Sequence, residues 1–316
     1  MALRYLVVGY GNIGRRRAAL LGARCVATVD PVASEATAPT IDAIPTDRYD
    51  VAVLATPNAV KRDYVRRLLA AGKSVLVEKP LPLDGPDDAR ALAAAARDGA
   101  VWYTAYNHRF EPLVVRLKER LDEGAVGKVD RARLLYGNGT VRDWLGTWRE
   151  GGSGVLEDLG GHLLDLAAWL FGEADTRWTL WDARAVESAT WDYALFSSAD
   201  RRLVLECGTV FWKNRFEIDV YGSAGSLHLT GLNKWGGATL RHHTRVLPSG
   251  APHETVESTS GEDVSWRADF VEFERRVAAH ESGVAGDARI AAALADLTRQ
   301  AEARSAPRGS PRGAGE

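Results

Sequence analysis

The sequence predicts an α/β protein of two domains: a parallel sheet flanked by helices, followed by an α+β domain with a large, mainly antiparallel sheet. The length of 316 residues suits about two domains. Residues 3–108 alternate short apolar runs with helical segments, which is typical of repeated strand-helix units. Residues 176–247 instead give successive Val-, Thr- and aromatic-rich segments separated by turns. We place the domains at 1–112 and 113–304, followed by a flexible tail at 305–316.

The first domain is predicted to contain short strands, each apolar on consecutive positions. Such runs are typical of strands that are buried on both faces of a parallel sheet. The predicted strands are Tyr5–Val8, Cys25–Val29, Val51–Ala55, Ser74–Val77 and Val101–Ala105. The predicted helices, each with an apolar stripe, cover 13–22, 60–71 and 86–98.

The second domain is predicted to combine helices with an antiparallel sheet. Its predicted helices are Leu113–Glu123, Val155–Phe171, 263–281 and 287–304. A strand over Lys128–Tyr136 and a Gly- and Trp-containing loop over 138–153 lie between the first two helices. Residues 209–221 alternate apolar with polar side chains, which predicts a sheet with one apolar face.

Composition excludes several classes of partner. The formal net charge is -2, so no basic excess argues for nucleic acid or an anionic membrane, and we expect a small ligand. Cys25 and Cys207 lie far apart in apolar stretches, which favours buried thiols in a reducing compartment. No run approaches the roughly 18 apolar residues of a membrane span. We therefore expect a cytoplasmic protein.

A glycine-rich turn follows the first predicted strand. The segment Gly9-Tyr10-Gly11-Asn12-Ile13-Gly14 has the spacing G-x-G-x-x-G and opens a helix, as dinucleotide-binding turns do. In such turns the first glycine permits the tight turn, the second lets the backbone approach the pyrophosphate, and the third lets helix and strand pack closely. The helix amino terminus then faces the anion. The residues expected to bind the dinucleotide are Gly9, Gly11, Asn12, Ile13 and Gly14.

Asp30 ends the second predicted strand, about 20 residues after the glycine turn, where a carboxylate binds the adenosine ribose. Its charge would repel a ribose 2′-phosphate, and residues 31–34 supply no arginine, so NAD is favoured over NADP. Arg15, Arg16 and Arg17 are near enough in sequence to reach a phosphate, but we expect at least two of them on a solvated helix face. Methyltransferases also carry an acidic residue at this strand end, so the remaining motifs decide.

Three further motifs follow in order: Ala55-Thr56-Pro57-Asn58, Glu78-Lys79-Pro80, and the segment from Glu157 to Asp165, EDLGGHLLD. Together with the glycine turn they resemble the Gfo/Idh/MocA family of nicotinamide-dependent oxidoreductases over nearly the whole chain. The resemblance implies a Rossmann fold for the first domain. It also places a group of residues beside the cofactor: Thr56, Pro57, Asn58, Glu78 and Lys79. Asn58 has an alternative role as the cap of the following helix.

The resemblance implies that Lys79 and a D-x-x-x-H pair, Asp158 and His162, surround the carbon that gives or takes hydride. The helical period supports this, because Asp158, His162 and Asp165 share one face of the predicted helix at 3.6 residues per turn. The opposite face is apolar and consists of Leu156, Leu159, Leu163, Ala167 and Leu170. We interpret Asp165 as structural. Asp158 and His162 supply only two ligands, so no metal is expected.

A base must take the hydroxyl proton when an alcohol is oxidised, and the ordinary pKa of histidine, about 6.5, suits that task. We assign it to His162, which would donate the proton in the reducing direction. Asp158 would orient the imidazole or share the proton. Lys79 would stabilise negative charge on the reacting oxygen.

Candidate substrate residues lie in two segments. Asn107 and Arg109 are expected to line the crevice between the domains, and Trp144, Trp148 and Arg149 to form an aromatic wall or lid, since sugar faces pack on aromatic rings. The resemblance points to a sugar, a sugar derivative or a cyclitol as substrate. The sequence departs from the common family pattern at Ala59-Val60-Lys61, where a His-containing form is frequent.

The leading hypothesis is an NAD(H)-dependent dehydrogenase or ketoreductase acting on a CH–OH group of such a substrate. Two alternatives stay open: a non-catalytic NAD-binding regulatory protein on the same fold, and a reductase of a non-sugar substrate such as a dihydrodiol or an imine. Family members pair through the open face of the second sheet, so the resemblance implies a homodimer or homotetramer.

Overall fold

The amino-terminal residues form a parallel sheet in the computed structural model, which describes residues 2–142, 145–146, 150, 152–172 and 177–305. Its strands are β1 Tyr5–Val8, β2 Cys25–Val29, β3 Val51–Leu54, β4 Ser74–Glu78 and β5 Trp102–Ala105. Its helices are α1 Asn12–Leu21, α2 Asn58–Ala70 and α3 Pro86–Ala95. The strand order is β2-β1-β3-β4-β5. The predicted strands and helices are confirmed: β1 and β2 have the predicted bounds, and the ends of the others differ by at most three residues.

The order in which strands are added to the sheet reverses at β1: β2 lies on one side of β1, and β3, β4 and β5 follow on the other side. Beyond β2, Ala38 forms an isolated parallel bridge with Val29, which marks the position of one more, vestigial strand. In open α/β sheets ligands bind beyond the carboxyl ends of the strands, at such a switch point. The glycine turn after β1 and the Ala55–Asn58 motif after β3 both lie there.

The second domain is built on an eight-stranded sheet with the order β13-β12-β11-β10-β6-β9-β8-β7. The strands are β6 Val129–Gly137, β7 Trp178–Arg184, β8 Tyr193–Ser198, β9 Leu203–Gly208, β10 Arg215–Gly222, β11 Gly225–Leu232, β12 Gly237–Thr244 and β13 His253–Thr259. Every neighbouring pair is antiparallel except β6 and β9. The remaining helices are α4 Pro112–Asp122, α5 Gly161–Phe171, α6 Ser265–Ala279 and α7 Val284–Ser305.

One face of this sheet is apolar and the other is polar, as the alternation predicts, but only residues 215–221 of the predicted range 209–221 form a strand, and Trp212 before it is exposed. On β10, Phe216, Ile218 and Val220 are buried in the same core as the leucines of α5. The opposite face carries charged pairs, including Arg133 with Glu206 at 2.6 Å. The apolar face therefore belongs to the core, and the outer face carries charged side chains that form ion pairs.

The predicted helix over Val155–Phe171 divides into two parts. Leu156–Gly160 forms a π-helical turn, in which the amide of Gly161 donates to the carbonyl of Leu156, and the α-helix α5 begins only at Gly161. The five predicted apolar residues are buried, but Leu164 and Leu166 are buried as well, so α5 has no solvated side along that stretch. The assumption of 3.6 residues per turn is therefore wrong for the first turn.

Helix α6 completes the core of the amino-terminal domain, although the predicted boundary assigns it to the second. Its Phe270 and Phe273 are buried against Tyr5 and Val53 of the parallel sheet. Burial of a phenylalanine side chain contributes about 1.5–3 kcal/mol to folding. The carboxyl-terminal part of the chain thus returns to the first domain and fixes the cleft between the two.

Within the residues described, no helix is long and apolar enough to cross a bilayer. The candidate residues Trp144, Trp148 and Arg149 lie outside the described residues, as does 306–316 of the predicted tail.

Candidate active site

A cleft of about 210 Å³ lies where the switch point of the parallel sheet meets the second domain. The first domain lines it with Ile13, Thr56, Glu78 and Lys79, and the second with Asp158 and His162. With Asn107, seven of the residues that the sequence nominates therefore face one space. They come from segments up to 149 positions apart along the chain.

The glycine turn has the geometry that a pyrophosphate requires. Gly9 has φ +88°, and a side chain there would collide with the Ala55 carbonyl, while one at Gly14 would collide with the Gly9 carbonyl. Beside Gly11 the space is open, with no atom within 4 Å of a Cβ placed there. Among the described residues, the first three amides of α1, those of Asn12, Ile13 and Gly14, have no acceptor. Free amides at a helix amino terminus are the donors that a bound phosphate group requires.

Asp30 closes this turn from the end of β2. One carboxylate oxygen accepts the Tyr10 amide at 2.7 Å, and the other accepts the amides of Val32 and Ala33 at 2.8 and 2.9 Å. Partial burial opposes ionisation, but these three amides together hold the pKa of Asp30 below its ordinary value. The carboxylate is therefore charged at neutral pH, at the end of β2 beside the glycine turn.

Glu78 is held by a buried ion-pair network. Arg17 of α1 is 1% exposed, donates to Glu78 at 2.7 Å and forms an ion pair with Asp269 of α6 at 2.7 Å. Asp269 also accepts the Tyr103 hydroxyl at 2.6 Å. Loss of one partner would leave a buried charge without compensation and would destabilise the fold. The network therefore holds α1, β4 and α6 together behind the cleft. Arg15 and Arg16 are about half exposed, in agreement with the predicted solvated helix face.

Lys79 crosses the cleft. Its Nζ donates to Oδ1 of Asp158 at 2.6 Å and to the Asp158 carbonyl at 2.6 Å. Both side chains are largely but not completely buried, with 16% and 26% of their surfaces exposed. A partly exposed ammonium that is fixed at one wall of a cleft is a suitable donor to an oxygen that enters it.

Lys61 fixes the segment that carries Lys79. It is 1% exposed, and its Nζ donates to Asn58 Oδ1 at 2.8 Å and to the carbonyls of Lys79 and Pro80, both at 3.1 Å. Burial lowers its pKa to about 7, although the charge of Glu78 opposes this. Asn58 thus binds Lys61 and does not cap α2, so its alternative role is wrong.

His162 lies at the cleft wall, 4% exposed. Its ring centroid is 4.1 Å from that of His108, and Tyr106 and Tyr136 lie edge-on or tilted at 5.9 Å. Burial, together with His108 and Lys79, lowers the pKa of His162 well below 6.5, so the ring is neutral at pH 7. Its Nδ1 is buried and has no hydrogen-bond partner among the described residues.

The two predicted crevice residues of the turn Asn107–Phe110 face different spaces. Asn107 lines the cleft and donates to the Ser265 hydroxyl at 2.8 Å. Arg109 does not line it, because its guanidinium forms a bidentate pair with Asp165 and faces a different cavity. Residues 107–110 form a 3₁₀ turn, in which side chains two positions apart point about 120° apart. The prediction of Arg109 as a substrate residue of this cleft is wrong, whereas the structural role of Asp165 agrees with this pair.

Several lining residues were not nominated from the sequence. They are Arg16, Lys61, His108, Tyr136, Lys234 and Trp266. His108 lies between the predicted residues Asn107 and Arg109, and Lys61 lies in the segment that departs from the common family pattern. The sequence therefore gave a reason to consider both. Lys234, which donates to the Tyr136 hydroxyl at 2.8 Å, and Trp266 come from distant loops and helices and carried none.

These features define a Rossmann dinucleotide-binding domain joined to an α+β domain. The chain belongs to the Gfo/Idh/MocA family: residues 3–106 match the oxidoreductase family's NAD-binding Rossmann fold, and residues 114–228 match a GFO/IDH/MocA C-terminal domain. The predicted family and fold class are confirmed, and the predicted cofactor, NAD, agrees with the matched domain type.

Named relatives are dehydrogenases. The inositol 2-dehydrogenase of Rhizobium meliloti is 29% identical over 212 residues, which cover 63% of this chain and 64% of the relative. The levoglucosan dehydrogenase of Pseudarthrobacter phenanthrenivorans is 33% identical over 131 residues, 38% of this chain and 32% of the relative. The chain thus matches less than two thirds of the length of either relative.

A solved structure shows the same fold over nearly the whole chain. An oxidoreductase from Agrobacterium radiobacter, solved with NAD⁺, L-tartaric acid and magnesium, superposes with a TM-score of 0.79 at 18% identity. The match covers 96% of this chain and 97% of that one.

Proposed function

We propose that this protein is an NAD(H)-dependent dehydrogenase or ketoreductase that acts on a CH–OH group of a sugar, a sugar derivative or a cyclitol. The observation that carries the proposal is the convergence of Lys79 and His162. One follows β4 of the first domain and the other begins α5 of the second, yet both line the same cleft.

The residues present fit a nicotinamide dinucleotide. The open space at Gly11 and the unpaired amides of Asn12–Gly14 would hold the pyrophosphate, and Asp30 would bind the adenosine ribose. Thr56 adds a buried hydroxyl with no partner among the described residues. When bound, the nicotinamide supplies hydride transfer to or from the substrate carbon.

His162 is the proposed proton acceptor. A base must be unprotonated before it can act, and burial keeps this imidazole neutral throughout the neutral pH range. The surrounding rings of His108, Tyr106 and Tyr136 exclude water from it. In oxidation the ring takes the hydroxyl proton, and in reduction the imidazolium returns a proton to the carbonyl oxygen.

Lys79 is the proposed stabiliser of charge on the reacting oxygen. Its two acceptors, both on Asp158, orient Nζ within the cleft and leave its third N–H for a substrate oxygen. Asp158 therefore acts mainly by positioning Lys79. This assignment differs from the sequence expectation that Asp158 orients His162.

The substrate class is supported by the relatives and by the lining. Polyols are bound by hydrogen bonds to hydroxyls and by packing on aromatic rings. The cleft provides both, with Asn107, Lys234 and Tyr136 as polar groups and the ring of Trp266 at the edge. The named relatives act on inositol and levoglucosan, as their names state.

The proposed oligomer is a homodimer or homotetramer formed through the outer face of the eight-stranded sheet. Its paired charges, such as Arg133 with Glu206 and Arg215 with Glu217, suit a polar interface. Sedimentation equilibrium at micromolar protein tests it, and a monomer at all concentrations would contradict it.

The activity is tested by incubating the purified full chain with NAD and a panel of inositols, aldoses and anhydrosugars while NADH absorbance is followed. We expect NADH formation with at least one cyclitol or sugar. Dihydrodiols with NAD and imines with NADH are assayed in parallel; if NADH binds tightly but none of these compounds is turned over, the protein is the regulatory alternative. Turnover of only the non-sugar compounds would overturn the substrate class but not the oxidoreductase assignment.

A further inference from the structure

A second cavity of about 260 Å³ lies behind the wall of the cleft, between β5, α6 and the start of α7. Its lining includes Tyr106, Arg109, Arg276 and residues 285–287. None of these groups belongs to the proposed catalytic set. The cavity is comparable in size to the cleft itself.

The amino terminus of α7 supplies hydrogen-bond donors to this cavity. The amide of Gly283 donates to the Trp102 carbonyl, and that of Asp287 donates to the Gly283 carbonyl. The three amides between them, those of Val284, Ala285 and Gly286, have no acceptor among the described residues. Because α7 is 22 residues long, its dipole adds partial positive charge at these amides.

Two arginines add full charges. Arg276 uses Nε to bind Glu272 at 2.7 Å, and its terminal nitrogens have no hydrogen-bond acceptor in the described part of the chain. Arg109 uses Nε and one terminal nitrogen on Asp165, which is buried. Arg109 thus neutralises the charge of Asp165. The terminal N–H groups of Arg276 remain as donors for a further anion.

Tyr106 is the independent sign of a ligand. It is 5% exposed, and its hydroxyl has no hydrogen-bond partner among the described residues. Tyr106 lines this cavity, together with Asp287, Asp165 and Arg109, and does not line the cleft. The hydroxyl oxygen is not sealed in the packing but is accessible from the cavity, so an acceptor bound there can receive its hydrogen bond.

One carboxylate opposes this arrangement. Asp287 lies in the first turn of α7, and its Oδ2 accepts the Trp102 indole N–H and the Thr104 hydroxyl, both at 2.7 Å. Burial raises the pKa of Asp287 to about 6 despite these two donors. Its charge is therefore spread over neighbours and is partly lost in mildly acidic solution.

We propose that this cavity binds a small oxyanion, free phosphate or the phosphate group of a small ester, through the α7 amides, Arg276 and the Tyr106 hydroxyl. The ring of Tyr106 packs edge-on against His162, so the ligand lies one side chain behind the proposed catalytic base. The proposal concerns binding alone and does not depend on the proposed activity.

Isothermal titration calorimetry of the full chain with inorganic phosphate, at an ionic strength held constant with NaCl, tests the site. We expect saturable binding that Arg276→Gln weakens at least tenfold and Tyr106→Phe weakens severalfold. Arg275→Gln is the matched control, because Arg275 precedes Arg276 on α6 and binds the same Glu272 but does not line the cavity. Its affinity should stay within about twofold of wild type.

A parallel titration with glycerol 3-phosphate separates the two sources. Tighter binding than phosphate indicates an ester, and equal or weaker binding indicates the free ion. Absence of saturable binding by either probe would overturn the proposal. So would binding that survives both Arg276→Gln and Tyr106→Phe, since it would place the anion at the glycine turn. Circular dichroism verifies that each variant is folded. If Arg276→Gln does not fold, the affinity of Tyr106→Phe alone decides whether the proposal stands.

Discussion

Lys79 Nζ lies 2.6 Å from both the side-chain Oδ1 and the backbone carbonyl of Asp158, so one ammonium of the first domain is bound twice by the π-helical turn of the second. That carbonyl belongs to the π-helical turn Leu156–Gly160, one turn before α5 begins. These two hydrogen bonds hold the two walls of the cleft at a fixed distance and also fix the position of the Lys79 ammonium.

Replacement of Lys79 by methionine should remove stabilisation of the reacting oxygen while leaving the nucleotide turn intact. We expect kcat to fall by about 10²- to 10³-fold. The dissociation constant for NADH should change little. Steady-state kinetics and fluorescence titration measure the two quantities, and Lys128→Met, at an exposed position outside the cleft, is the control. A kcat within twofold of wild type would contradict the role of Lys79.

Removal of His108 should raise the pKa of His162. Both rings are buried with their centroids 4.1 Å apart, and His108 contributes to the lowered pKa of its neighbour. In His108→Phe the imidazole of His162 should therefore protonate at a higher pH than in wild type. The acidic limb of kcat/KM should move in the same direction, and NMR titration of labelled histidine measures the shift directly. An unchanged or lower pKa of His162 in the variant would contradict this coupling.

Lys61 should give the folded protein a distinctive dependence of stability on pH. Its pKa is about 7 when folded and about 10.4 when unfolded, so between those values the unfolded chain binds more protons at this residue. The unfolding free energy of wild type should therefore rise with pH relative to that of Lys61→Met, by up to about 1.4 kcal/mol per pH unit between pH 7 and 10.

Urea unfolding at pH 7, 8 and 9 measures this difference, and the exposed Lys128→Met provides the reference slope. Parallel curves for wild type and Lys61→Met would mean that Lys61 keeps an ordinary pKa in the folded protein. The charged form would then be held by its three oxygen acceptors in spite of burial.

Asp30 should determine the choice between NAD and NADP. Asp30→Ser removes the charge that would repel a 2′-phosphate, so the ratio of kcat/KM for NADP to that for NAD should rise at least tenfold. The variant also loses acceptors for the amides of Tyr10 and Ala33, and should be destabilised by about 1–3 kcal/mol. Asp42→Ser, at an exposed position away from the turn, is the control. An unchanged ratio would show that discrimination lies elsewhere.

Local sequence signals determined the parallel sheet and the glycine turn almost completely. The strands are apolar on consecutive positions, and only glycine suits the φ of residue 9 and the close approach at residue 14. The proposed catalytic residues Lys79 and His162 were found because each lies in a short motif whose order along the chain is specific.

What the sequence missed depends on contacts between distant segments. The helical period did not reveal the π turn, because periodicity analysis assumes a constant 3.6 residues per turn. Packing of Phe273 on the first domain, and the arrival of Lys234 and Trp266 in the cleft, are tertiary facts with no local pattern. Arg109 was wrongly assigned to the cleft because Asn107, two positions before it, lines the cleft. The 3₁₀ turn points the two side chains in different directions.

The central claim is that His162 takes the proton of the substrate hydroxyl in the cleft that Lys79 shares. Single-turnover kinetics of NADH formation by His162→Ala, with the best substrate of the panel and saturating NAD, test it most directly. We predict a rate constant for hydride transfer lower by about 10²- to 10⁴-fold with NAD affinity retained, whereas His253→Ala, on the exposed edge strand, should equal wild type. A wild-type rate constant in His162→Ala would contradict the account.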